Sequence, residues 1–369
     1  MRTIKKNWPQ VKLGDICELR YGKSLPDAKR NGGQVPVYGS NGLVGYHDDA
    51  ITDGPTIIVG RKGSLGEVAY CPTKCWPIDT TYYIDSSATD ADIAWLAYCM
   101  RQLRLTEMNR AAAVPGLNRD DAYARTLLLP PIEEQKRIAA ILDKAAAIRR
   151  KRAEAIRLAD DFLKSTFLDI FGDPISNPKH WPKKPLADLC IIRRGASPRP
   201  IEKFTGGTVP WIKIGDCTKG SSIYVDDTSE KIIKEGVSKS VYLNPGSIIF
   251  ANCGVSLGFA RILRIAGCIH DGWLSFEKIN DSLNKIFFLK MLNSITEHFR
   301  RIAPSGTQPN LNTGIMKNFE VPIPPINLQQ RFADIVTGYD ELTARYESGI
   351  KDTELLFDSI VQRAFRGDL

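Results

Sequence analysis

Cysteine is scarce in this chain, with eight in 369 residues, and none of them forms a CxxC pair. A disulfide scaffold is therefore excluded, and a tetrahedral zinc site has no candidate ligands. The closest pair, Cys71 and Cys75, has no histidine near it in sequence and is expected to be buried and structural. Histidine is scarcer still: His47, His180, His270 and His298 show no metal-ligand spacing. No apolar run approaches the roughly 18 residues that a bilayer span needs, and Met1 to Gln10 is charged without the apolar core of a signal peptide. Export and membrane insertion are thus not expected, and reduced thiols in the cytoplasm are. Nor does one charge dominate: 50 Lys and Arg against 42 Asp and Glu leave a net +8, which permits an anionic partner without demanding one.

What the chain does have is itself, twice. Trp8-Pro9 returns as Trp181-Pro182, and the same offset carries Leu13, Asp15, Cys17, Arg20, Gly22 and Ser24 onto Leu186, Asp188, Cys190, Arg193, Gly195 and Ser197. Ile57-Ile58 then answers to Ile248-Ile249, Ser64-Leu65-Gly66 to Ser256-Leu257-Gly258, and Leu117-Asn118 to Leu311-Asn312. Pro130-Pro131-Ile132 matches Pro324-Pro325-Ile326, with Gln135-x-Arg137 following one and Gln329-x-Arg331 the other. One module is written twice, its offset growing as loops lengthen. Each half holds 25 basic and 21 acidic residues when the chain is divided after Gly172, so both copies should meet the same kind of partner.

Within each copy the texture changes once. Glycine, proline and short apolar runs such as Thr56-Ile57-Ile58-Val59 and Ser247-Ile248-Ile249-Phe250 read as strands between turns. A helix is expected late in each copy, over Asp90 to Asn109 and Asn284 to Arg301. The diprolines then close the strand-rich part and open a long helix. In the second helix Phe332, Ile335, Tyr339, Leu342, Tyr346, Leu356 and Ile360 follow a heptad spacing, broken at Gly349 and Thr353. In the first, Ile138, Ile141, Ala145, Ile148, Ala155, Ala159 and Phe162 do so with Arg152 intruding. A helix of about 40 residues is about 60 Å long and cannot bury so narrow a stripe on a small domain alone, so the two are expected to pair antiparallel. The expected fold is α+β: strand-rich mixed domains at 1–130 and 173–324, and spacer helices at 131–172 and 325–369.

Several segments then become recognisable: Gly207-Thr208-Val209-Pro210-Trp211-Ile212-Lys213, Ser305-Gly306-Thr307-Gln308-Pro309-Asn310-Leu311-Asn312, Leu129-Pro130-Pro131-Ile132-Glu133-Glu134-Gln135, and Ala364-Phe365-Arg366-Gly367-Asp368-Leu369. Together with Val37-Tyr38-Gly39-Ser40-Asn41-Gly42 and Gly60-Arg61-Lys62-Gly63-Ser64, they resemble the specificity subunit of type I restriction-modification systems over essentially the whole chain. The resemblance implies a non-catalytic reader of double-stranded DNA. Each target-recognition domain would read one half of a split asymmetric site, and the helices would set the gap and dock methyltransferase subunits, two in number, with restriction or translocase subunits as further partners. No cofactor is implied in this chain; S-adenosylmethionine would belong to the methyltransferase partner.

Reading a duplex takes cations for phosphates and hydrogen-bonding side chains for base edges. In the first copy the candidates are Lys23, Tyr38, Ser40, Asn41, Arg61, Lys62, Ser64 and Asn118, among glycines that let backbone approach DNA. In the second they are Arg194, Ser197, Arg199, Lys213, Asn252, Ser256, Thr307, Gln308 and Asn310. For each, a turn or solvated surface position is the plainer alternative. Gln135, Arg137, Gln329 and Arg331 at the helix starts are candidates for docking the methyltransferase subunits, against simple packing at a domain edge. The run Arg149-Arg150-Lys151-Arg152 is assigned to a solvated or partner-facing helix surface.

Enzymatic motifs are missing. No glycine-rich strand-to-helix turn accompanies an Asn/Asp-Pro-Pro-aromatic element, as a DNA methyltransferase requires. Gly22-Lys23-Ser24 imitates the end of a phosphate loop, but Cys17 stands where that loop needs glycine. The rival from another class is a double-headed coiled-coil adaptor whose ends bind protein; DNA binding that depends on sequence and salt separates the two.

Overall fold

The computed structural model describes residues 8–108, 116–218, 221–304 and 310–366, excepting the side chains of 347–358 and 364–366. Two compact units result, Met1–Lys151 with Ile350–Leu369, and Arg152–Gly349.

In the first unit the all-buried strand Thr56–Gly60 is central. It lies antiparallel between Val68–Cys71 and Thr81–Ile84, and Arg20–Tyr21 pairs with the far edge of Thr81–Ile84. A second sheet sets Val35–Gly39 between Gly42–His47 and Trp76–Pro77, the last pairing parallel. The second unit repeats the plan with additions. Its central strand Ile248–Ala251, again wholly buried, lies between Ala260–Leu263 and Trp273–Glu277; Ile191–Arg194 and Tyr224–Val225 complete five strands. A four-stranded sheet is built around Thr205–Ile212 and Gly267–Ile269, paired parallel. Unbroken apolar runs thus became strands covered on both faces, as such runs should.

The domain helices are shorter than the sequence pattern implies. The first runs Ile93–Gln102 and ends where Arg104 turns to φ 51°; Leu105–Met108 continues as a 3₁₀ turn, and Asn109 lies outside the described residues. The second is divided at Ile295 into Lys285–Ser294 and Thr296–Ile302. Both start on side-chain caps: Asp92 accepts from the Trp95 N–H, and Asn284 from the N–H groups of Ile286 and Phe287. Their apolar faces carry much of each core, Trp95, Leu96 and Met100 in one unit and Phe287, Phe288 and Leu292 in the other.

The long helices span Ile132–Phe171 and Ile326–Arg366. Each contributes to both units, and within each unit the two helices run antiparallel. In the second unit Phe332 meets Phe167 and Phe171, both at 5.5 Å between ring centroids, and the Tyr339 hydroxyl donates to Asp160 at 2.7 Å. In the first, Val361 joins the core containing Ile138, Ala139 and Leu142.

The buried face follows the heptad seam read from sequence only in part: Ile138 is buried, and Ile141, Ala145, Ala159 and Ile360 are half-buried. Phe332 and Tyr339 do turn inward, but Ile335, Leu342 and Tyr346 are exposed, while Ala333 and Val336 are buried. In the first helix Ile148, Ala155 and Phe162 face solvent and Leu163, Phe167 and Phe171 are buried. The cause is that these stretches pack against a domain as well as a helix. The stripe therefore follows the 3.6-residue period of a globular surface, at i, i+4 and i+8, rather than the 3.5-residue seam.

Candidate nucleic-acid interface

Both units build the same loop cluster from the same backbone bonds. Gly22 donates its N–H to Thr81 and Gly195 to Trp273; Arg61 donates to Thr80 and Asn252 to Gly272; Leu117 donates to the Arg61 carbonyl and Leu311 to that of Asn252. The glycines are required: a Cβ at Gly22 would collide with the Ile78 carbonyl, and one at Gly195 with the His270 carbonyl. Four segments of each unit, distant in sequence, are thereby drawn together.

In the first unit Lys23, Ser40, Arg61, Lys62 and Asn118 lie on or against these segments. The Arg61 guanidinium sits over Tyr21 and Tyr82, 5.2 and 5.9 Å from their ring centroids, and its Nη2 donates to the Asp79 carbonyl at 2.7 Å. Arg119 covers Tyr21 as well, at 5.5 Å. Lys62 is exposed, and its backbone N–H donates to the Thr80 carbonyl. Lys23 Nζ is 5.7 Å from the Trp76 ring centre. Asn118 caps Arg119–Tyr123 through Oδ1, leaving its amide nitrogen outward. Asn41 is exposed on the hairpin tip, and Ser64 is half-buried. Tyr21, which is 55% exposed, and Arg119 were missed by sequence reading; both guanidiniums lie within cation–π distance of the Tyr21 ring, and only folding brings the three together.

In the second unit Asp271 organises the cluster. Its Oδ1 accepts from the Ser197 hydroxyl at 2.7 Å, its Oδ2 lies 3.6 Å from Arg199, and its carbonyl accepts from Arg194 Nε at 3.1 Å. The Ser197 hydrogen bond holds the Asp271 carboxyl below its ordinary range. Ser197, Arg199, Lys213, Trp211 and His270 line one cavity of about 560 Å³. Lys213 pairs with Glu230 there. His270 is pushed down by burial, and its Nδ1 accepts the Gly272 N–H at 2.7 Å. Ser256 is half-buried in the turn Gly254–Ser256, whose tip is Val255, 96% exposed. That apolar tip also escaped sequence reading. Thr307 and Gln308 lie outside the described residues, as do Gly367, Asp368 and Leu369.

Four of the sequence assignments need correction. Asn252 is fully buried, its amide nitrogen donating to Asn310 Oδ1 at 3.1 Å, so it fastens the loop that carries Asn310 and cannot face a duplex. Tyr38 is half-buried against Ile58, Cys71 and Cys75, where burial pushes its hydroxyl up to about 12; it is a packing residue. Gln135 and Gln329 are buried too. Gln135 accepts from the Asp92 N–H at 2.8 Å and donates to the Pro130 carbonyl at 2.8 Å. Gln329 accepts from the Asn284 N–H at 2.8 Å and donates to the carbonyls of Pro324 and Ser282 at 2.7 and 3.0 Å. Each glutamine bolts its long helix to the start of a domain helix and is closed to a partner. Arg137 and Arg331 are exposed, Arg137 in a fork with Glu134.

Among the described residues no group of three or more His, Cys, Asp and Glu could hold a metal ion, and no helix is long and apolar enough to cross a membrane. Fold and loops together define a duplicated, two-headed binding protein whose heads share a backbone frame and differ in the side chains it displays. The chain belongs to the type I restriction modification DNA specificity family, whose model matches residues 5–157 and 178–353; it is a non-catalytic DNA specificity subunit of that family. It is 24% identical over 414 residues to the MjaIX specificity subunit of Methanocaldococcus jannaschii, covering 99% of this chain and 94% of the relative. The EcoDI specificity subunit of Escherichia coli is 20% identical, with 98% and 89% covered. The crystal structure of the S subunit from M. genitalium shares the fold, with a TM-score of 0.70 at 17% identity over 99% of this chain and 98% of that one. The adaptor reading is not favoured.

Proposed function

We propose that each unit reads one half of a split, asymmetric site on double-stranded DNA, while the long helices set the gap and dock two methyltransferase subunits, in the cytoplasm. The observation that carries this reading is the duplicated frame of backbone bonds displaying different side chains: Arg61, Lys62 and Tyr21 on one copy, Arg194, Ser197 and Arg199 on the other. A shared frame calls for the same kind of ligand, and different side chains call for different sequences. S-adenosylmethionine belongs to the methyltransferase partner, and outward apolar side chains such as Leu158, Phe162 and Leu342 offer that partner a surface.

The test is base-resolution mapping of methylated adenines in cells with and without this chain. A two-part motif should appear with it, and exchange of residues 1–172 for those of a relative should change only one half. Seven residues inserted into one long helix should widen the gap and alter neither half. A motif that is the same with and without the chain refutes the reading.

A further inference from the structure

Within the second unit, Arg261 and Lys290 enter one cavity of about 550 Å³, whose apolar wall includes Phe167, Leu168, Phe259 and Phe332. It shares no residue with the cavity at Arg199 and Lys213. Among the described residues neither cation has a salt bridge. Lys290 Nζ reaches only the Ser222 hydroxyl, at 3.4 Å; Arg261 Nη1 turns back to the Ala260 carbonyl at 2.8 Å, and its Nε is buried without a partner. A third cation on the lining, Lys164, pairs with Asp161 at 3.9 Å, and the one carboxylate on it, Asp160, accepts from Tyr339 through a single oxygen. Asn293 accepts from the Ala260 N–H, Ser294 donates to the Met291 carbonyl, and Thr296 donates to the Gly258 carbonyl.

Burial pushes both cations below their ordinary values, and Arg261 adds to the effect on Lys290, which Asp340 and Asp160 offset only in part. Two desolvated cations that share the cavity with one carboxylate, Asp160, leave positive charge in excess, and burial of charge is tolerated when an opposite charge completes it. A bare phosphate would leave most of the cavity and its apolar wall wet. A carboxylate on an apolar body would satisfy both.

We propose that this cavity receives an acidic side chain and its apolar neighbour from the methyltransferase subunit, the carboxylate bridging Arg261 and Lys290. The inference rests on the reading above that such a subunit docks on this chain, and it names one place where it does so.

The experiment compares acylation of the Lys290 amine by mass spectrometry in the full chain alone, with the methyltransferase subunit, and with DNA alone. Lys290 should become protected by the subunit and not by DNA. In the assembled complex a zero-length carbodiimide should join Lys290 to an Asp or Glu of the subunit. Lys290→Met, which keeps an unbranched apolar stem and removes the ammonium, should weaken association about tenfold or more, and Lys290→Arg should retain it. Equal reactivity of Lys290 in a complex that does assemble overturns this inference alone. Protection by DNA alone makes phosphate the anion and overturns it as well. If the wild-type chain binds no methyltransferase subunit, the reading of function falls, and this site with it.

Discussion

Gln329 offers the sharpest test of how the heads are held. Replacing it by leucine keeps the volume and removes three hydrogen bonds, leaving the Asn284 N–H and the Pro324 and Ser282 carbonyls unanswered in a site where Gln329 is 0% exposed. An unsatisfied buried polar group costs about 1–3 kcal/mol, and carbonyls with a second lone pair fall at the low end. The loss should be about 3–5 kcal/mol. At about 2–4 °C per kcal/mol for a unit of this size, the second unit should melt roughly 6–20 °C lower. Gln135→Leu removes two bonds and should lower the first unit's transition by less. Arg137→Ala, which breaks only an exposed fork with Glu134, is the control and should change stability by about 0.5 kcal/mol or less. Differential scanning calorimetry of the full chain reads all three. A Gln329→Leu variant within a degree or two of wild type, or no more affected than Arg137→Ala, would refute the bolt.

Three further outcomes are expected. Lys62→Ala should weaken duplex binding about equally across sequences and reduce the salt slope by about 1, whereas Arg61→Lys should change which sequences are preferred in the first half-site; anisotropy titrations at several salt concentrations separate the two. Asp271→Ala removes the carboxylate that holds Ser197 and Arg199, so non-specific affinity should rise and discrimination at the second half-site should fall, as measured by competition with scrambled duplex. The folded-state values of His270 and Asp271 are both depressed, so their stabilising contributions are present above the unfolded values and disappear as pH falls through the folded ones. The second unit should therefore melt lower at pH 5 than at pH 7.5, starting to lose stability below the ordinary histidine value of about 6.5. His270→Gln should flatten that first step, and an unchanged pH profile would count against the buried neutral imidazole.

The repeat, the strand-rich heads and the long helices were legible because they rest on local rules. Thr56–Gly60 and Ile248–Ala251 are apolar runs that fill a sheet centre, and a diproline can open a helix but not continue one. The packed face of the helices was legible only in part, at Ile138 and Phe332, since Ala333 and Val336 are buried on the domain they lie on, and a heptad count contains no domain. For the candidate site, residue type and glycine spacing pointed to loops that the fold brings together. They could not tell Arg61 from Asn252, or Gln329 from Arg331, because inward and outward side chains on a loop carry the same polar chemistry. Tyr21 and Arg119 lie 98 positions apart, and they are brought to Arg61 by long-range bonds such as the Leu117 N–H to the Arg61 carbonyl and the Leu19 N–H to the Tyr123 hydroxyl.

That Arg61 and Asn252 occupy equivalent places explains how one frame can host two specificities. Each gives its N–H to the turn just before the strand that pairs with its own, at Thr80 or Gly272, and its carbonyl to the segment beginning at Leu117 or Leu311. Neither bond involves the side chain, so the position is fixed whatever residue stands there. The side chain is then free to turn outward, as the guanidinium over Tyr21 does, or inward, as the amide on Asn310 does. Where the inward choice is made, the frame displays other side chains instead, and in the second unit Asp271 gathers Ser197, Arg199 and Arg194 from the neighbouring strand and loop. Divergence in what is read therefore needs no change in the bonds that hold the loops. It is limited instead by the close approaches at Gly22 and Gly195, where any side chain would push the edge strand off the loop it supports.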